Sequence, residues 1–161
     1  MPHPTPTNAS FETFARTGRL GGVGLGDTRA ALALRLGKPT DWLARRPMPE
    51  SGLWKYGDVE FHFDDDDRVW LIHCDNYTDA PQGGGGLLLD PWVVRASLTL
   101  AQMEQALHDG NGAFTSEVDR LYPGRVELVT AVGVRFNVVV EPEEFVSDLP
   151  IVSRSRSGAT P

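Results

Sequence analysis

A chain of 161 residues with a net charge of −7 and 40% hydrophobic content has the bulk for one ordinary domain, or for two small repeats that share a core. Its 15 Lys and Arg against 22 Asp and Glu argue against a phosphate-binding surface, because nucleic-acid binders present a basic patch or stripe. The single cysteine, Cys74, leaves no internal disulfide and no Cys-type zinc site.

The chain opens with MPHPTPTNASFETF, without a basic start leading into an apolar core. No stretch approaches the roughly 18 apolar residues that span a bilayer. A cytoplasmic protein with no nucleic-acid and no membrane partner is therefore expected. Residues 1–9 are proline-rich at their start and are expected to be loose. A short helix over 10–17 follows, with Ser10 or Asn8 as cap and Gly18 as terminator.

The first unit covers residues 10–77. Within it, Asp27 is placed as the N-cap of a helix that Gly37 and Pro39 close, and Leu32 and Leu36 form its buried stripe. The glycines at 21, 22, 24 and 26 lack the following Lys-Ser/Thr of a phosphate loop, and no clear strand precedes them, so they read as structural. LWKY at 53–56 is a strand that turns through Gly57-Asp58. Val59, Phe61 and Phe63 alternate with Glu60 and His62 as one face of a second strand. RVWLIHC at 68–74 is a third. With 64–67 as the loop, Phe63 lies opposite Arg68, Phe61 opposite Trp70 and Val59 opposite Ile72. That register gives one apolar face with Trp70 in the core, and one mixed face that is either exposed or set against a partner.

Residues 78–96 contain four consecutive glycines and are expected to be a flexible linker. The second unit, 97–150, repeats the order of elements. Thr99 and Gln102 form a capping box before a helix whose stripe is Leu100, Met103 and Leu107. AFTSEVDRLYPG is strand plus turn, and two further strands flank Gly133. Residues 151–161, ending in SRSRSGATP, are expected to be a disordered tail. The fold class predicted is α+β: an antiparallel sheet packed by short helices, in two tandem helix-plus-strands repeats.

The residues Gly26, Leu36, Gly37, Pro39, Trp54, Tyr56, Phe63, Asp64 to Asp67 and Val69 form a pattern of glycine, short helix, "LG.P", "W.Y" strand and acidic hairpin turn. In this the first unit resembles the repeat of the β-lactamase inhibitor protein and the small outer-membrane assembly lipoproteins. The second unit matches only in its order of elements. The resemblance implies a helix layer on an antiparallel sheet whose face and edge loops bind another protein, and it carries over no catalytic residues.

The four aspartates, Asp64, Asp65, Asp66 and Asp67, read as a hairpin tip. They lack the alternation, central Gly and terminal Glu of a calcium loop, and consecutive turn residues point apart. His73 is expected opposite Asp58 as a structural pair, and Cys74 as a small buried hydrophobe. No nucleophile motif, zinc motif or Walker pattern occurs. Loop aromatics are the interface candidates. The expected partner-binding residues are Trp42, Arg45, Arg46, Asp64, Asp65, Asp66, Asp67, Tyr77 and Trp92, with no catalytic residue, metal or cofactor.

The functional expectation is a small acidic protein-binding module, such as a bacterial immunity or inhibitor protein that neutralises a basic enzyme or toxin. Two alternatives stand beside it. One is a metal-dependent hydrolase using Asp64 to Asp67 with His62 or His73. The other is a structural domain that oligomerises by pairing sheet edges.

Overall fold

Each of the three α-helices among the described residues begins and ends at its sequence signals, with one exchange of cap. In the computed structural model, which describes residues 5–141 and 149–156, α1 (Phe11–Thr17) starts where the Ser10 hydroxyl accepts from the Glu12 amide and stops at Gly18, φ 70°. Helix α2 (Arg29–Leu36) is capped by Thr28, which accepts from the Ala31 amide, rather than by Asp27. The Asp27 carboxylate instead takes Arg19 Nη2 at 2.7 Å and the Gly24 amide at 3.0 Å, which folds the glycine loop back on itself. Helix α3 (Leu100–Asp109) carries the full Thr99–Gln102 capping box.

Ten strands accompany the helices among the described residues. A small parallel pair joins β1 (Thr7–Ser10) to β6 (Leu87–Asp90). The first half of the main sheet contains β2 (Asp41–Trp42), β3 (Leu53–Tyr56), β4 (Val59–Phe63) and β5 (Val69–Cys74). The second contains β7 (Phe114–Val118), β8 (Arg125–Thr130), β9 (Arg135–Val139) and β10 (Ile151–Ser155). The eight strands run in the order β2-β3-β4-β5-β10-β9-β8-β7, antiparallel throughout. The fold is thus α+β, with a helix followed by a four-stranded meander occurring twice. The last strand of each meander pairs with the other at the centre of the sheet, Cys74 opposite Val152.

Strand alternation sends one set of side chains under the helices. Trp54, Tyr56, Phe61, Ile72, Leu128 and Phe136 form one core with Phe11, Phe14, Leu32, Leu36, Met103 and Leu107. The polar tips buried with them are paired: Trp54 Nε1 donates to the Met48 carbonyl at 2.7 Å, and the Tyr56 hydroxyl to that of Gly37 at 2.8 Å. Leaving either donor unpaired would cost about 1–3 kcal/mol.

Three stretches expected to be loose are built into this fold. Residues Ile151 to Ser155 of the expected tail form β10, a central strand rather than a disordered end. Val152 is buried, and Arg154 donates to the carbonyls of Val132 and Gly18. Neighbours on both sides pair with its backbone, so the strand does not need an apolar sequence. Residues 157–161 lie outside the described residues.

The expected linker, 78–96, contains β6, and its glycines sit in tight quarters. The Asp58 amide donates to the Gln82 carbonyl and the Gln82 amide to the Asp58 carboxylate, both at 2.8 Å. A Cβ on Gly83 or Gly86 would run into the carbonyl of Leu87 or Leu36. These glycines permit close approach of backbones; they do not supply freedom. At the N-terminus, Thr7 to Ala9 belong to β1, with Ala9 buried. Residues 1–4 lie outside the described residues.

The β4–β5 register also departs from expectation. Phe61 faces Ile72, His62 faces Leu71 and Phe63 faces Val69, with an irregularity between His62 and Phe63. Val69 and Ile72 both point into the core yet lie three apart, which strict alternation forbids. The strand therefore takes one extra residue, as a β-bulge does. Trp70 consequently stays half-buried, its ring 5.9 Å from that of His62, instead of joining Phe61 and Phe63 in the core.

Candidate interaction surface

At the hairpin tip the four aspartates divide into two that hold the turn and two that face solvent. Asp64 Oδ1 accepts from the Asp66 amide at 3.1 Å and the Arg68 amide at 2.9 Å, and its Oδ2 takes Arg156 Nη1 at 3.0 Å. This is the side-chain-to-backbone bonding that makes Asp a turn former. Asp67 closes the turn in the left-handed region, φ 56°, and its carboxylate binds Arg29 Nη2 at 2.8 Å. Arg29 also donates to the Ser51 carbonyl at 2.5 Å, and its guanidinium lies 4.0 Å from the centre of the Phe63 ring. Asp65 and Asp66 are exposed and project from the turn.

Beside the tip lies the second face of the sheet. The strand registers place Leu53 and Lys55 of β3, Glu60 and His62 of β4, and Leu71 and His73 of β5 on one surface. Ser153 and Ser155 of β10 and Arg135 of β9 extend it across the sheet. The helices' buried side chains belong to the core on the opposite face. Two separate groups of paired charges lie on the open face. His62 Nε2 sits 3.0 Å from Glu60 Oε2, Lys55 Nζ is 3.4 Å from Glu60 Oε1, and Arg135 Nη1 is 2.6 Å from Glu127 Oε2. The hydrogen bond from His62, followed by the charges of His62, Lys55 and His73, holds the Glu60 carboxyl below its usual range against the opposing effect of burial. His73 meets Asp75 at 3.2 Å rather than Asp58, because the register puts Glu60 opposite it.

The expected partner-binding residues do not form one site. Arg45 and Arg46 line a groove of about 420 Å³ together with Arg29 and with Asp64, Asp65 and Asp67 of the tip, so five of the nine expected residues do converge. Trp42 is half-buried on the edge strand β2, with Lys38 Nζ 5.8 Å from its ring. Tyr77 is 7% exposed, and its hydroxyl donates to the Pro150 carbonyl at 2.6 Å. It is a buried tie between distant segments and is not available to a partner, which corrects the expectation of an exposed loop aromatic. Trp92 packs edge-on against Phe136, ring centres 6.1 Å apart, on the helix side of the sheet. The open-face residues Leu53, Lys55, Glu60, Leu71 and Arg135 were not among the expected contacts, although the mixed composition of the β4 and β5 outer face was the signal for them.

Among the described residues, no group of three or more His, Cys, Asp and Glu could hold a metal ion. Cys74 is buried, and burial pushes its thiol far up from its usual range, which suits an inert core residue and not a nucleophile. No helix among the described residues is long and apolar enough to cross a membrane. No family model, curated protein or solved structure matches the chain.

Proposed function

We propose that the chain is a protein-binding module that receives a globular partner with a basic surface on the open face of its sheet, and that it acts as an inhibitor or immunity protein of that partner. The observation that carries this reading is the asymmetry of the sheet. One face is filled by the α-helices α1, α2 and α3 of the described residues. The other presents half-buried Leu53, Trp70 and Leu71 between ordered charges. An aromatic and aliphatic centre ringed by polar groups is the composition of an interface rather than of a solvated surface. The choice of a basic partner follows from the net charge of −7 and from Asp65 and Asp66, which stand exposed at the end of the β4–β5 hairpin. Charges so placed speed encounter more than they tighten the complex. The likeness of the first unit to the β-lactamase inhibitor repeat points the same way.

The test uses two variants of matched chemistry. Leu71→Asp places a charge in the centre of the open face, and Leu34→Asp places one on α2, where Leu34 is 86% exposed. A host protein retained by the wild-type chain and by Leu34→Asp, but lost with Leu71→Asp, supports the reading. Equal retention by all three sinks it.

A further inference from the structure

The two edges of the main sheet are treated differently. At one end β2 is only two residues long and runs on toward Arg45, Arg46 and Pro47, the usual means of blunting an edge. At the other end β7 is five residues long, contains no Pro and no Lys, and keeps an unbroken register with β8 from Phe114 to Val118. An edge of this kind is a template for another strand.

Its backbone shows what could fit there. The Ala113 carbonyl accepts from the Ala131 amide, and the Asp119 amide donates to the Arg125 carbonyl, so the odd-numbered positions turn toward β8. Alternation then directs the amides and carbonyls of Phe114, Ser116 and Val118 outward. Three outward residues centred on Ser116 are symmetric about that residue. An antiparallel copy of β7 laid against them sets Ser116 opposite Ser116, Phe114 opposite Val118, and Thr115 opposite Glu117. Apolar meets apolar, and no like charges stand opposite one another, which is what cross-strand pairing requires. Val118 is 63% exposed and Leu121, just beyond it, 83%. In this register Val118 stands opposite the copy's Phe114.

We infer that β7 is a homodimerisation edge: two copies of this chain pair their β7 strands antiparallel about a twofold axis at Ser116, joining their sheets into one. The interface is isologous, so it closes at the dimer. It lies at the far end of the sheet from β3 and β4, and it leaves the proposed partner-binding surface free.

Sedimentation velocity and oxidative cross-linking test this. The wild-type chain should sediment as a dimer. Ser116→Pro, which removes an outward amide without touching the β8 ladder, should sediment as a monomer with unchanged far-ultraviolet circular dichroism. Directly opposed residues in such a pair have Cα atoms about 5.5 Å apart, within the reach of a disulfide. Ser116→Cys should therefore cross-link into a covalent dimer under mild oxidation, and Glu117→Cys, which faces Thr115, should not. Buried Cys74 supplies no competing thiol. A wild-type monomer at every concentration, or cross-linking at position 117 in place of 116, overturns the inference.

Discussion

Replacing the tip aspartates one at a time separates a turn-forming role from a shared acidic function. Asp64→Ala removes the acceptor of two backbone amides, at 3.1 and 2.9 Å, and the partner of Arg156 at 3.0 Å. At about 0.5–1 kcal/mol for each amide and less for the exposed ion pair, the loss comes to about 2 kcal/mol. For a chain of this size that lowers the melting temperature by about 4–8 °C. Asp65→Ala and Asp66→Ala remove no contact of this kind and should stay within about 0.5 kcal/mol of wild type. Relief of mutual repulsion is common to all three variants and so cancels in the comparison. Urea titrations should show the midpoint falling for Asp64→Ala with an unchanged slope. Equal effects at the three positions, or a neutral Asp64→Ala, would refute the division of the tip into structural and projecting pairs.

Ending the chain at residue 150 removes β10 from between β5 and β9 and should abolish cooperative unfolding, read by circular dichroism on heating. Tyr77→Phe leaves the Pro150 carbonyl without its donor and should cost about 1–2 kcal/mol in urea unfolding, with partner retention unchanged. Glu60 gives a pH signature. Its carboxyl titrates below the usual range in the folded chain, so its stabilising contribution is complete above the ordinary glutamate pKa of about 4.3 and is lost as pH falls through the lower folded value. The stability gap between wild type and Glu60→Gln should therefore be full near neutrality and close in acid; a gap that widens on acidification would contradict the assigned network.

The helices and most strands were legible because their signals are local. Ser10, Gly18, Gly37 and the Thr99–Gln102 box act within a turn of the chain, and the alternation through Val59, Phe61 and Phe63 is visible in five residues. What was hidden depends on contacts between distant segments. The strand in SRSRS exists because β5 and β9 pair with both of its sides, and nothing in its own composition announces that. The glycine run reads as loose until Leu36 and Gly57 are seen against it. The bulge at Trp70 follows from burial of both Val69 and Ile72, which a simple two-residue period cannot express. Tyr77 reads as a loop aromatic for the same reason, since its partner lies 73 positions away. At the candidate surface, the place of Asp64 to Asp67 in a hairpin turn is legible from the alternation on either side, whereas the open face is assembled by strand pairings between distant segments.

A partner seated on the open sheet face would shield the side chains that face carries. Hydroxyl-radical labelling of the chain alone and in its complex, read by mass spectrometry, addresses this shielding most directly. Trp70, Leu71 and His62 should lose reactivity in the complex, while Leu34 on α2 keeps its own. Protection of Leu34 with Trp70 and Leu71 unchanged would place the partner on the helix layer and contradict the proposal.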